Sequence, residues 1–202
     1  MSGTSEHELK SLIASLGVSS GFLGTFDCRF PGFIQKEKFQ TAIVNTGPRE
    51  KGGIHWIALA WNPLNFKMYL FDPLGWKEKQ LAKYYGFSYR NMIARSALNT
   101  PDRCVTLVRN EEAVQCTCSG ACGLFCVFFI YCFNKYKCDP FNNPLFQRFQ
   151  GSYPCIKPAS PALLHENQNI LYNFLNSKSD YFNKNQHQFV TETKIGLIKT
   201  HN

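Results

Sequence analysis

The run Gly123-Leu124-Phe125-Cys126-Val127-Phe128-Phe129-Ile130-Tyr131-Cys132-Phe133 constrains this chain more than any other stretch. It is apolar on every side, so a helix built from it has no face to offer water. It also falls well short of the ~20 apolar residues that cross a bilayer. It therefore reads as a helix buried inside a folded core, and no membrane partner is expected. A chain of 202 residues can wrap such a helix within one domain. Its 44% hydrophobic and 18% charged residues mark a globular composition, and its 18 Phe predict an interior filled largely by rings. The start Met1-Ser2-Gly3-Thr4-Ser5-Glu6 lacks a signal-like apolar run, and nine cysteines leave at least one without an internal partner. A reducing compartment with mostly reduced thiols is expected.

Upstream, Lys51-Gly52-Gly53 leads into Ile54-His55-Trp56-Ile57-Ala58-Leu59-Ala60-Trp61, and Asn62-Pro63-Leu64-Asn65 has turn chemistry. A second apolar run, Lys67 to Asp72, is stopped by Pro73 and Gly75, which predicts a β-hairpin. If Asn62 and Asn65 close the turn, Trp61 faces Phe66 and, counting outward, His55 faces Asp72. Their Cβ atoms would then lie ~5 Å apart on one face. An extra residue in either strand would send them to opposite faces.

Elsewhere, Ser5-Glu6-His7-Glu8 reads as a capping box ahead of Leu9, Leu12, Ile13 and Leu16, with Gly17 as the stop. Helical patterns cover Lys77 to Tyr85, Tyr89 to Leu98 and Leu163 to Leu175, and Cys104 to Val108 reads as a strand. Asp139 to Pro161 reads as long loops, and the polar tail from Ser177 as loosely held.

A thiol protease needs a thiolate, an imidazole, a group that orients the imidazole, and donors for the tetrahedral oxyanion. Cys122 stands where the apolar helix begins, a position whose free N–H groups and macrodipole favour negative sulfur. Gly120, Ala121 and Gly123 are small enough to admit a substrate backbone. Alone, Cys122 reads equally as one more buried cysteine. His55 alone reads as a structural histidine, but Asp72 opposite it would accept from Nδ1 and leave Nε2 to the thiol. Gln115, one polar loop before the cysteine, could supply an amide donor, and Trp56 could cover the base. Only the set points to chemistry.

Gly53-Ile54-His55-Trp56, Tyr69-Leu70-Phe71-Asp72-Pro73-Leu74-Gly75, Pro101-Asp102-Arg103-Cys104, Gln115 and Ser119-Gly120-Ala121-Cys122-Gly123-Leu124-Phe125-Cys126 resemble the adenovirus protease (adenain) family in order and spacing. Phe22-Leu23-Gly24-Thr25-Phe26, Arg29-Phe30-Pro31-Gly32-Phe33 and Ala42-Ile43-Val44-Asn45-Thr46 do so as well. The resemblance implies an α+β fold with papain-like active-site geometry in permuted chain order (His, Asp, Gln, Cys) and a central mixed sheet packed by helices. A single catalytic domain over 1–202 is expected, two lobes sharing a cleft, with 178–202 as a loosely held tail.

The implied activity is that of a cysteine endopeptidase with catalytic His55, Asp72, Gln115 and Cys122. It would cut viral capsid and core precursors at small glycine-containing motifs during virion maturation, in the virion and host cell nucleus. Its implied cofactors are a short peptide from the C-terminus of a capsid precursor, disulfide-linked to Cys104, and viral DNA bound non-specifically. The net charge of +8 suits the DNA. A monomer without metal is expected. Better-known members carry glutamate where Asp72 stands, so the histidine must sit closer here or a water must intervene.

Two rivals remain at this point. Ubiquitin-like substrates also end in Gly-Gly, so an isopeptidase fits the same chemistry. Cys116, Cys118, Cys122 and Cys126 crowd together as zinc ligands do, yet no Cys-x₂-Cys pair and no histidine at finger spacing accompany them.

Overall fold

The computed structural model describes residues 3–149 and 160–195. Helix α1 (Glu6–Ser15) opens on the expected capping box: Ser5 Oγ accepts the Glu8 N–H at 3.3 Å, and the Glu8 carboxylate accepts the Ser5 N–H at 2.7 Å. Strands β1 (Phe22–Phe26), β2 (Gln40–Asn45), β3 (Trp56–Asn62) and β4 (Lys67–Phe71) follow, then helices α2 (Glu78–Tyr85) and α3 (Tyr89–Arg95) and strand β5 (Thr106–Arg109). Helix α4 (Cys122–Lys135) precedes α5 (Pro161–Lys178), α6 (Asp180–Lys184) and α7 (Gln186–Thr193). Among the described residues the strands form one sheet in the order β1-β2-β3-β4-β5. The outer pairs are parallel and the inner pairs antiparallel, so the fold is the expected α+β arrangement with a mixed sheet.

Strand β3 is apolar from Trp56 to Trp61 because both faces of the sheet are covered. Trp56, Ala58 and Ala60 turn to one core with Tyr69 and Phe71, while Ile57, Leu59 and Trp61 turn to the other with Met68, Leu70, Leu81 and Met92. The small side chains of Ala58 and Ala60 let α4 lie close against the sheet. Every residue from Cys122 to Ile130 is buried, between the sheet, Leu9 and Leu12 of α1, and Leu171 and Leu175 of α5. Phe129 stacks on Phe71 and on Phe141, each at 5.1 Å between ring centroids.

The hairpin differs from the sequence reading by two positions. Asn62 pairs with Lys67 and Ala58 with Phe71, so the loop is Pro63 to Phe66 and not Asn62 to Asn65. Phe66 takes the left-handed conformation (φ 58°), and both asparagines brace the loop: Asn62 Oδ1, at the end of β3, accepts the Leu64 N–H, and Asn65 Oδ1 the Lys67 N–H. Carried outward, that register does not put His55 directly opposite Asp72. An offset of two keeps both on one face, since side chains alternate with period two.

Other boundaries move as well. Strand β5 begins at Thr106, which leaves Cys104 outside it, and α3 ends at Arg95. Residues 180–193, expected to be loosely held, form α6 and α7. Phe182 and Phe189 lie seven positions apart on them, stack at 5.1 Å and are buried in the core beneath α1. Two aromatic anchors outweigh the polarity of the surrounding residues. Of the loops expected between Asp139 and Pro161, residues 150–159 lie outside the described residues.

Candidate active site

His55 stands just before β3 and Asp72 just after β4, at one end of the central hairpin. The chain ahead of His55 is held by Asn45, whose Oδ1 accepts the N–H groups of Gly47 at 2.9 Å and Ile54 at 3.0 Å. His55 itself offers its carbonyl to the Thr46 N–H at 2.8 Å. Asp72 opens a tight turn: its carbonyl accepts the Gly75 N–H at 2.9 Å and its Oδ1 the Leu74 N–H at 2.9 Å. Gly75 is required there, because φ is +65° and a Cβ would stand 2.5 Å from the Ala113 nitrogen. Asn110 grips the other side, accepting the Asp72 N–H and donating to the Asp72 carbonyl.

Within this frame His55 Nε2 meets Asp72 Oδ1 at 2.7 Å, with both residues almost wholly buried. The ring is turned the opposite way from the sequence expectation: Nε2 takes the carboxylate, which leaves Nδ1 for the thiol. Aspartate reaches directly, with no bridging water required. Cys122, the first residue of α4, lines the cleft with the same ring and adds to the pull on its proton. Burial alone would lower the affinity of His55 for its proton. The pull of Asp72 and then of Cys122 outweighs burial, and the pKa is pushed up to about 10. The imidazole therefore carries its proton at neutral pH.

Gln115 is buried beside them and its backbone N–H donates to the Pro73 carbonyl at 3.0 Å. Its side-chain Nε2 donates to Ser119 O at 2.8 Å, and its second N–H leaves the amide a donor to spare. His55, Gln115 and Cys122 line one cleft of about 550 Å³. The structure thus brings His55, Asp72, Gln115 and Cys122 together. Cys104 is exposed, carries a free thiol, and is not part of the cleft wall.

Two details correct the sequence reading, and a third adds to it. Gly123 is not a substrate contact: a Cβ there would meet Leu9 at 2.9 Å and Trp56 at 3.2 Å, so it lets α1 and β3 close on α4. Gly120 does line the cleft, but a Cβ there would meet the Glu192 carbonyl at 3.2 Å, so its smallness serves packing against α7. Cover for the histidine comes less from Trp56, whose indole donates to Thr4 O, than from Tyr85 and Trp76, whose rings lie 5.6 and 6.4 Å from the imidazole. Burial, then the charges of Cys122 and Asp72, push the Tyr85 phenol up to about 12. Finally, Cys116 and Cys118 are joined by a disulfide, whereas the other described cysteines are free thiols.

Thr4, Glu6, Asp27 and Arg49 also line the cleft, and sequence reasoning passed over all of them. Arg49 is paired with Glu6 at 2.8 Å across 43 residues, a contact that no local pattern announces.

The sequence profile of the adenovirus endoprotease family matches residues 22–197. The chain is 63% identical to the protease of ovine adenovirus D serotype 7 and 62% identical to that of bovine adenovirus 4, over 201 residues and the full length of both partners. It is 44% identical to the protease of human adenovirus A serotype 12 over 197 residues, covering 96% of each chain.

Proposed function

This chain belongs to the adenovirus endoprotease family and is a peptidase, and from that premise we propose that Cys122 is its nucleophile. The reaction is acyl transfer. The Cys122 sulfur attacks the scissile carbonyl, protonated His55 gives its proton to the leaving amine, and the neutral ring then activates water against the acyl-enzyme. Asp72 holds the ring and stabilises its charge. Gln115 and the Cys122 backbone N–H, free at the start of α4, receive the oxyanion; one such donor is worth ~3 kcal/mol in the transition state. The supporting observation is that the His55 ring, held by Asp72 at 2.7 Å, and Cys122 line one cleft.

Substrates in this reading are viral capsid and core precursors, cut at small glycine-containing motifs as virions mature in the host nucleus. Trp56, Leu74 and Tyr85 crowd the cleft, which suits a substrate whose residues near the cut are small. A peptide from the C-terminus of a capsid precursor would pair with the exposed Cys104 thiol, and non-specific DNA would answer the excess of 22 Lys and Arg over 14 Asp and Glu. The enzyme would act as a monomer.

Replacing Cys122 by alanine tests the mechanism. Turnover of a capsid-derived peptide should vanish while the protein stays folded; undiminished turnover ends the proposal. Comparing that peptide with a Gly-Gly ubiquitin-like conjugate separates the endopeptidase from an isopeptidase.

A further inference from the structure

Between Gln115 and Ser119 the chain makes a short loop in which Thr117 faces the cleft and its two neighbours, Cys116 and Cys118, are buried. Helix α5 packs behind it. His165 Nε2 lies 3.2 Å from Cys118 Sγ, and the two sulfurs and this nitrogen all fall within 4.8 Å of one another. The histidine is placed by anchors further along its own helix: Asn167 Nδ2 donates to Val114 O at 2.9 Å, and Gln168 accepts from Ser119 Oγ. The helix is thus fastened to both ends of the loop, and the three donor atoms meet on a rigid frame.

As a staple the Cys116–Cys118 link achieves little. A bridge between residues two apart closes almost no loop, so it removes little freedom from the unfolded chain. The position offers chemistry instead. Two thiolates and an imidazole are a donor set that suits zinc, with a fourth, tetrahedral position left to water. Sequence spacing counted against zinc, since neither a Cys-x₂-Cys pair nor a histidine at finger spacing is present; the fold supplies a histidine 47 residues on.

We propose that Cys116 and Cys118, once reduced, bind one thiophilic divalent cation of the zinc type, with His165 as the third ligand. Reduction by an external thiol consumes two of its molecules, breaks the sulfur–sulfur bond, and yields two cysteine thiols and one external disulfide. The cation then displaces both thiol protons and accepts the lone pair of His165 Nε2. Binding joins the loop that carries Gln115 to α5, beside the cleft and separate from the His55–Cys122 pair.

The test uses the full chain with Cys122→Ala, so that the cleft thiol is not a ligand, reduced with a phosphine and titrated with Co²⁺ without oxygen. A thiolate-to-cobalt charge-transfer band and intense tetrahedral d–d bands should saturate at one cobalt per chain and vanish when Zn²⁺ is added. The oxidised form of the same protein, which needs no further substitution, should show neither. Cys116→Ser or Cys118→Ser should abolish the charge-transfer band, and His165→Ala should weaken binding at least about tenfold. The absence of a thiolate–cobalt band in the reduced chain overturns the proposal. So does a band that survives oxidation or Cys116→Ser, since other cysteines would then hold the metal.

Discussion

His55 Nε2 lies 2.7 Å from Asp72 Oδ1 although the strands flanking them are not in register to oppose the two residues. The turn at Gly75 and the grip of Asn110 swing the carboxylate to the ring. Asp72→Asn keeps the shape but removes the charge that stabilises imidazolium. Its kcat should fall at least about tenfold, yet less than the ~10⁴ seen for the same change in a serine triad, because a thiol ionises more readily than a hydroxyl and depends less on its base. Steady-state kinetics on the folded variant measures this, and an unchanged kcat removes Asp72 from the mechanism.

The raised pKa of His55 has a definite sign. Its folded value, about 10, exceeds the ordinary 6.5, so its stabilising contribution is complete below about pH 6.5 and fades as pH climbs toward 10. Urea midpoints should therefore drop between pH 7 and pH 10. The alkaline limb of kcat/KM should lie near pH 10 and shift toward neutrality in Asp72→Asn.

Gln115→Ala removes one oxyanion donor and leaves the Cys122 N–H. The expected cost is about 10²–10³ in kcat with a measurable remnant, since the nucleophile and base remain. A loss as complete as that of Cys122→Ala would mean that the loop had collapsed.

For Cys104 the readout is durability. Cys104→Ala should fold and cleave at the basal rate, since the residue is exposed and outside the cleft. Activation by the capsid-derived peptide should then disappear once free peptide is dialysed away. Persistent activation would exclude the covalent link.

Phe129 is fully buried between Phe71 and Phe141. Phe129→Ala should lower folding stability by about 3–5 kcal/mol, read from denaturant melts.

The hairpin, the N-terminal helix, α2, the buried α4 and α5 were legible because each rests on a local pattern: capping, turn chemistry or periodicity. His55, Asp72 and Cys122 stood at the ends of those patterns, where the structure also finds them. What could not be read depends on distant partners. Strand β2, buried along its whole length, has no alternation to expose it. The two-position slip of the hairpin depends on Phe66 accepting a left-handed conformation that phenylalanine rarely takes. Asn110 and Tyr85 reach Asp72 and His55 only through the fold, and α6 and α7 look polar until Phe182 and Phe189 find the core. His165 reaches the Cys116–Cys118 loop only because α5 crosses behind it.

Helix α1 is made first among the described helices and α6 and α7 last, yet they are fastened together: Ser15 Oγ accepts from Ser179 Oγ and from the Tyr181 N–H, and Gln188 donates to Glu8. The same α1 packs on the helix that begins at Cys122 and lends Leu9 to its first turn. The first turn of α4, where Cys122 stands, is therefore buttressed by a helix that is itself tied to segments the ribosome releases much later.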